Sequence, residues 1–594
     1  MIRNACFMLV MLVLMAAQGF SQDNSLISAE SLRLHVGVLA ADSLSGRYPG
    51  SGGDQKAEKY IADCFSGAGL RMLCNDGRQE FRVVTKVHPG AENTLQLADY
   101  SAVLYKDFSP LSFTGNGKLK SPVVFAGFGF DLNLDSLRWN DYAGIDVNGK
   151  WVMVLRGDPE PDRPNSLFAG FEKERLKALT AKDKGAAGVL LVSPAGIEAR
   201  DIPMNPQYDR TTANAGILVV SITRSLADRM LASMNDSVAG LVKRITETHR
   251  PSPMYMPVML DGVAGMELEE APTANIVAMI PGADSLLCNE YIVIGAHHDH
   301  LGMGGSGSGS RWPDTLAVHN GADDNASGVA GLIELARKLS ENRQKLKRSV
   351  IMVAFAGEEM GLLGSKEFVK NPPVPLSRIK AMINLDMIGR LDTLTKAVSV
   401  GGTGTAAEMD TILSLLSQNG GLSISRSPDG YGPSDHASFY SENIPVVYFT
   451  SGAHEDYHTP ADDADKINYS GMASILDFVY SLTVDLSCRD QALTYRETGP
   501  KQGEMARRNF KVTLGIIPDV VSTANDGLGV DGVRKGGPAE KAGIRKGDRI
   551  VSLNGQPVTN IYDYMARLGL LKPGQVTSAE IVRDGKKIVL IVQL

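Results

Sequence analysis

Seven of the chain's ten histidines fall between His297 and His458. In the same window, carboxylates follow short apolar runs: "YIVIGAHHD", "SVIMVAFAGEE" and "AMINLDMIG". Imidazoles and carboxylates collected at strand ends suit one or two divalent metals. In "GAHHDHLG", extended backbone puts His297 and Asp299 on one side and His298 on the other. His297 is then the ligand and Asp299 the carboxylate that orients its ring, with His298 and His300 as pocket or packing residues. In "HNGADDNASGVAGL", Asp324 is the better ligand candidate, and Asp323 reads as a helix cap or hydrogen-bond acceptor. Of the adjacent Glu358 and Glu359, one should bind metal and its neighbour hold a proton. Asp386 follows an apolar strand, where a lone acid is costly to bury without a cation. Counting Glu359 as the metal-binding member, Asp324, Glu359 and Asp386 bring three negative charges. Two divalent cations and one bridging hydroxide balance them, and two metals about 4 Å apart can activate one water and clamp the developing oxyanion.

These residues need a scaffold that brings distant strand ends together. From about Asn275, apolar runs alternate with helical stretches such as "SGVAGLIELARKLSEN" and "SILDFVYSLTVDL". That alternation predicts an α/β fold with a mostly parallel sheet sandwiched by helices, whose ligands gather at the carboxyl ends of the strands. Upstream, "SPVVFAGFGF", "GKWVMVLRGDP", "AAGVLLVSP" and "AGILVVSI" are short β-branched runs with one helix among them, a small α/β insert without clustered His or acids. A polar linker precedes a separate C-terminal domain.

With 594 residues, 43% hydrophobic and a net charge of −7, the chain reads as a multi-domain globular protein, and its mild acidity argues against nucleic-acid binding. Arg3, the apolar run "ACFMLVMLVLMAA" and "QGFSQD" predict a signal peptide over 1–21 and export to the periplasm or the extracellular space, with no transmembrane anchor. Cys64, Cys74, Cys288 and Cys488 have no metal-finger spacing. Export permits a Cys64–Cys74 disulfide, and free thiols fit equally.

The stretch "FTSGAHEDYHTPADD" spells H-E-x-x-H at His454, Glu455 and His458. A zincin needs both histidines on one helical face. Gly452 before the motif and Pro460 after it leave room for little more than one turn, which predicts a loop, with His454 and Glu455 as ordinary loop or pocket residues.

The blocks "GAHHDH", "NGADDNASG", "AGEEMGLLGS", "NLDMIG", "SDHASF" and "DYHTPADDADKI", in this order, resemble the co-catalytic zinc aminopeptidase family, which includes bacterial leucine aminopeptidases, aminopeptidase Y and glutamate carboxypeptidases. The resemblance implies a zinc exopeptidase fold and two Zn2+ per chain, with other divalent metals admissible. It places His297 and Asp386 on one ion, Glu359 and His458 on the other, and Asp324 on both. It makes Glu358 the general base, Asp299 the partner of His297 and Tyr457 a group that polarises the substrate carbonyl. The expected activity is removal of N-terminal residues from peptides. A carboxypeptidase or glutaminyl cyclase of the same fold, or a non-catalytic peptide-binding adaptor, are the alternatives. "AKDKGAAGVLLVS" resembles a protease-associated domain, and "TLGIIPD" with "GGPAEKAGIRKGDRIVSLNGQPV" resembles a PDZ domain, which takes a peptide C-terminus or serves only as a packing module. The expected order is 22–105 for the N-terminal part of the peptidase domain, 106–255 for the protease-associated insert, 256–490 for the catalytic domain, 491–504 for the linker and 505–594 for the PDZ domain.

Overall fold

The computed structural model describes residues 27–594 apart from 99, 134–136, 161–162, 164–165, 169, 207–214, 306, 419–420, 500–511, 519–525, 535, 559–563, 565–566 and 570. The signal segment 1–21 therefore lies outside the described residues, as do the end of the 491–504 linker and the first positions of the C-terminal domain. The chain divides into two compact units, Val84–Ala271 and the residues on either side of it.

The larger unit is built on a nine-stranded sheet. Its strands include β1 (Met266–Ile280), β2 (Tyr291–His297), β3 (Ser349–Phe355), β4 (Ile379–Leu385), β5 (Ala397–Gly401), β6 (Ser423–Arg426) and β7 (Val446–Thr450). They run in the order β1–β3–β2–β4–β7–β5–β6, with Arg71–Met72 beyond β1 and Arg78–Pro89 also paired to it. The middle four, β3–β2–β4–β7, are mutually parallel, while β1 and β5 join antiparallel. Alternate residues of β2 and β3 enter cores on opposite faces: Ile292, Ile294, Val350 and Met352 on one, Val293, Ile351 and Val353 on the other. Burial on both faces explains the unbroken apolar runs, as a parallel sheet requires.

One face is covered by α1 (Ala29–Leu39), α2 (Gly52–Gly67), α3 (Gly328–Glu341) and α4 (Tyr469–Cys488). Helix α1 buries Leu32, Val36 and Leu39 at helical spacing, and the Ser28 side chain accepts the Glu30 and Ser31 amides at its start. The Ser51 hydroxyl caps α2 in the same way through Asp54. Among the described residues, no helix is long and apolar enough to cross a membrane.

The second unit contains an eight-stranded sheet. Its parallel run Gly117–Phe125, Trp151–Leu155, Gly188–Val192 and Leu218–Ile222 contains the β-branched segments read as strands, and Glu174–Asp183 is helical. At the C-terminus a six-stranded sheet encloses its own core around Leu528, Ile550 and Ile581. Cys64, Cys74, Cys288 and Cys488 are free thiols.

Candidate metal centre

The parallel strands deliver their carboxyl ends to one place. His297 is the last residue of β2 and pairs in register with Phe355, the last of β3, three positions before Glu358. Asp386 follows β4 directly, and the loop after β7 runs on to His458. Asp324 arrives on the turn that leads into α3, through a cis peptide bond to Asn325. Asn325 fastens that turn: its amide donates to the Leu385 carbonyl at 2.9 Å and its oxygen accepts the Gly328 and Met387 amides.

Asp324 stands between two donor groups. Its Oδ1 lies 3.2 Å from His297 Nε2, which is 3.4 Å from Asp386 Oδ1. Its Oδ2 lies 3.1 Å from His458 Nε2, which is 3.2 Å from Glu359 Oε1. Separations of this size suit donors gathered around a common cation with metal–ligand bonds of about 2.0–2.1 Å. His297 Nε2 is buried without a hydrogen-bond partner. Oxygen and imidazole donors with an orphaned buried nitrogen fit a divalent transition metal.

The electrostatics agree. Burial alone would lower the two imidazoles. Instead Asp386, Glu358 and Asp324 raise His297 well above its usual range, and Glu359 with Asp324 raises His458 to about 11. Burial opposes ionisation of Glu359, yet His458 outweighs it and brings the carboxyl down to about 2. Asp324 is held well below the carboxylate range by His297 and His458 against the same burial. Glu358 is the exception. Burial, with Glu359, Asp386 and Asp435 adding repulsion, raises it well above its usual value although His297 opposes them. A carboxyl that gains a proton this readily is suited to proton transfer.

Asp299 is turned differently from a simple extended strand. Because β2 ends at His297, period-two alternation does not continue to Asp299 and His300. His297 Nδ1 lies 3.2 Å from the Asp299 carbonyl and 3.8 Å from its carboxylate. That carboxylate accepts the Glu358 and Glu359 amides at 3.0 and 3.3 Å, so Asp299 braces both the imidazole and the paired glutamates. His300, expected as a pocket or packing residue, hydrogen-bonds Glu359 Oε1 through Nδ1 at 2.9 Å and leaves Nε2 unpartnered.

Residues 454–458 form no helix. The Tyr457 and His458 rings stack with centroids 3.8 Å apart. Burial, followed by Asp324, Glu359, Glu358 and Asp386, raises the Tyr457 phenol well above its usual range, which keeps it a hydrogen-bond donor. Tyr448 on β7 shares that condition through burial and Asp386. His454 Nε2 lies 3.2 Å from Asp323 Oδ2, while Asp323 Oδ1 accepts the Gly389 amide and the Ser327 hydroxyl.

Sequence reasoning did not single out Asp462, Arg390 or Tyr448. Asp462 Oδ2 accepts the Asp323 and Asp324 amides, and Arg390 ties Asp462 to Asp456 at 3.1 Å each. Asp462 lies four residues past His458 among further acids, and no spacing marks it as a backbone acceptor.

A profile of peptidase family M28 matches residues 275–483, a PA domain profile residues 119–230 and a PDZ domain profile residues 529–577. The uncharacterized protein YfbL of Escherichia coli is 34% identical over 240 residues, covering 36% of this chain and 70% of that protein. A probable leucine aminopeptidase of Arthroderma otae is 27% identical over 231 residues, covering 36% of this chain and 57% of that protein. Leucine aminopeptidase 1 of Neurospora crassa is 28% identical over 222 residues, covering 35% and 52%. The chain thus spans little more than half the length of these two leucine aminopeptidases. Among solved structures, an aminopeptidase from Aneurinibacillus sp. strain AM-1 aligns with a TM-score of 0.47 and 23% identity, over 80% of this chain and 97% of that one.

Proposed function

Since this chain belongs to peptidase family M28, we propose that it is an exported zinc aminopeptidase that removes N-terminal residues from peptides at a two-metal centre. The observation that carries this reading is the position of Asp324, one oxygen toward His297 and Asp386 and the other toward His458 and Glu359. In this reading His297 and Asp386 hold one ion, Glu359 and His458 the second, and Asp324 both. Zinc bound there would supply Lewis acidity toward the scissile carbonyl and the attacking water.

The chain's own groups do the rest. Glu358 takes the proton from the attacking water and returns it to the departing amine, a task that matches its raised proton affinity. Asp299 holds the Glu358 backbone and the His297 ring in place. The Tyr457 phenol donates toward the carbonyl oxygen as negative charge develops there. His300 orients Glu359 by its 2.9 Å hydrogen bond. The PDZ domain receives a peptide C-terminus. Ile516–Pro518, one edge strand of its sheet among the described residues, follows Gly515 in a left-handed conformation and suits pairing with an added strand. Export rests on the apolar segment at 1–21.

Hydrolysis of aminoacyl-nitroanilides by the purified chain tests the activity. Cleavage should stop on chelation, return with zinc and be lost in Glu358→Gln. Chelator-insensitive cleavage would sink the mechanism. A zinc-loaded protein that is inactive on every free-N-terminal substrate but active on C-terminal ones would replace the aminopeptidase with a carboxypeptidase.

A further inference from the structure

Arg47 comes from the N-terminal segment, far outside the stretch matched by the peptidase profile, and it is 1% exposed. Its guanidinium donates to carbonyls only in the contacts that define its place: Nε to His298 at 2.8 Å, Nη1 to Asn320 at 2.7 Å and to Leu39 at 2.5 Å, and Nη2 to Gly321 at 3.0 Å. His298 follows the ligand His297, and Gly321 opens the turn that carries Asp324. One planar fork therefore spans the backs of two ligand loops, which also meet further along through the His319 amide on the Gly302 carbonyl at 2.8 Å and the Gly304–Leu316 bridge.

The backbone around it is built for the same purpose. Ser45, Gly46 and Arg47 are consecutive left-handed residues, with φ of 47°, 69° and 49°. Two of the three are not glycine, a conformation that persists only where the surroundings hold it. A side chain at Gly46 would meet the Gly302 and His319 carbonyls at 2.4 and 2.7 Å. The Gly302 amide donates to Gly46 at 3.0 Å and the His300 amide to Arg47 at 3.3 Å. The segment is threaded between the two loops. Burial pulls the guanidinium down to about 10, and Asp324, Asp299, Asp462 and Glu359 sustain its charge.

We propose that Arg47 is a positioning residue of the metal centre, fixing the loop of His297 at its working distance from the loop of Asp324. This rests on the two-metal reading of that centre. Lysine would keep the charge but is a point donor that cannot span carbonyls on both loops, whereas the arginine fork is rigid and planar.

The test compares Arg47→Lys and Arg47→Met with the unaltered full-length chain, by zinc retention against a competing chelator, by kcat and KM, and by circular dichroism. Arg47→Lys should fold, lose zinc at a chelator concentration about 10–100-fold lower and lose kcat by a similar factor, with KM changed less than about twofold. Folded Arg47→Lys that retains zinc as the unaltered chain does would overturn the proposal. So would failure of both variants to fold, since Arg47 would then serve only the fold. If the unaltered chain binds zinc but cleaves no peptide, the proposed activity fails on its own, and the zinc comparison still decides the role of Arg47.

Discussion

Asp462 holds Asp324 by the backbone: its buried carboxylate accepts the Asp324 amide at 3.1 Å and the preceding Asp323 amide at 2.9 Å. The aspartate that faces both donor groups is thus anchored from the loop that also carries His458. Asp462→Ala would leave two buried amides unpaired, which should cost on the order of 2–4 kcal/mol. Urea unfolding should show that loss, and mass spectrometry of the dialysed protein should show reduced zinc. Asp462→Asn keeps one acceptor oxygen and should fall between the two. An alanine variant as stable as the parent would refute this anchoring.

Asp324 should matter more than any other residue of the proposed ligand set. His297→Gln and His458→Gln each impair one donor group, whereas Asp324→Asn weakens both. Metal analysis after dialysis should find one ion retained in either histidine variant and none in the aspartate variant. Equal losses in all three would argue against a shared carboxylate.

Glu358→Gln should lower kcat by roughly 10²–10⁴-fold, the usual contribution of a positioned acid–base group. KM and zinc content should stay at parental levels, because the side chain belongs to neither donor group. Loss of zinc in this variant would reassign Glu358 as a ligand.

A pH dependence of stability is set away from the metal centre. Burial opposes ionisation of Glu334, but His35, Arg337 and Ser31 outweigh it and bring the carboxyl from its ordinary 4.5 to about 2. Its stabilisation, about 3 kcal/mol by linkage, is present above pH 4.5 and lost as pH falls toward 2. His35 moves the other way. Burial alone would lower it, yet Cys64 and Glu334 bring it from 6.5 to about 9, so its contribution is full below 6.5 and lost as pH rises through 9. Thermal midpoints should be highest between pH 4.5 and 6.5, and Glu334→Gln should flatten the acid side. A parental acid limb in that variant would contradict the pairing.

The parallel core was legible from the apolar runs, and the approach of His297, Asp324, the Glu358–Glu359 pair and Asp386 from their places just after such runs or at a helix start. His458, deep in the loop after β7, and the choice of Glu359 as the metal-binding glutamate came only with the family resemblance. The loop reading of His454–His458 followed from Pro460 and Gly452. The hold of the Asp299 carboxylate on the Glu358 and Glu359 amides and the His300 bond to Glu359 were not legible, because alternation stops applying beyond the strand end. Arg47, Arg390 and Asp462 were hidden for another reason. They act on backbone groups or on one another across long chain separations, and no local pattern of residue types encodes such partners.

Arg47 and the Asn320 carbonyl it grips are 273 positions apart, with the whole of Val84–Ala271 emerging between them. At roughly 5–20 residues per second of synthesis, the arginine waits on the order of 15–60 s for its partner. The intervening unit is contiguous and can close during that interval. The N-terminal helices cannot complete their packing until Gly328–Glu341 and Tyr469–Cys488 have been made. The packing around the candidate metal centre therefore waits for α4, and a chain truncated before α4 would carry the proposed ligands without the framework that sets their spacing.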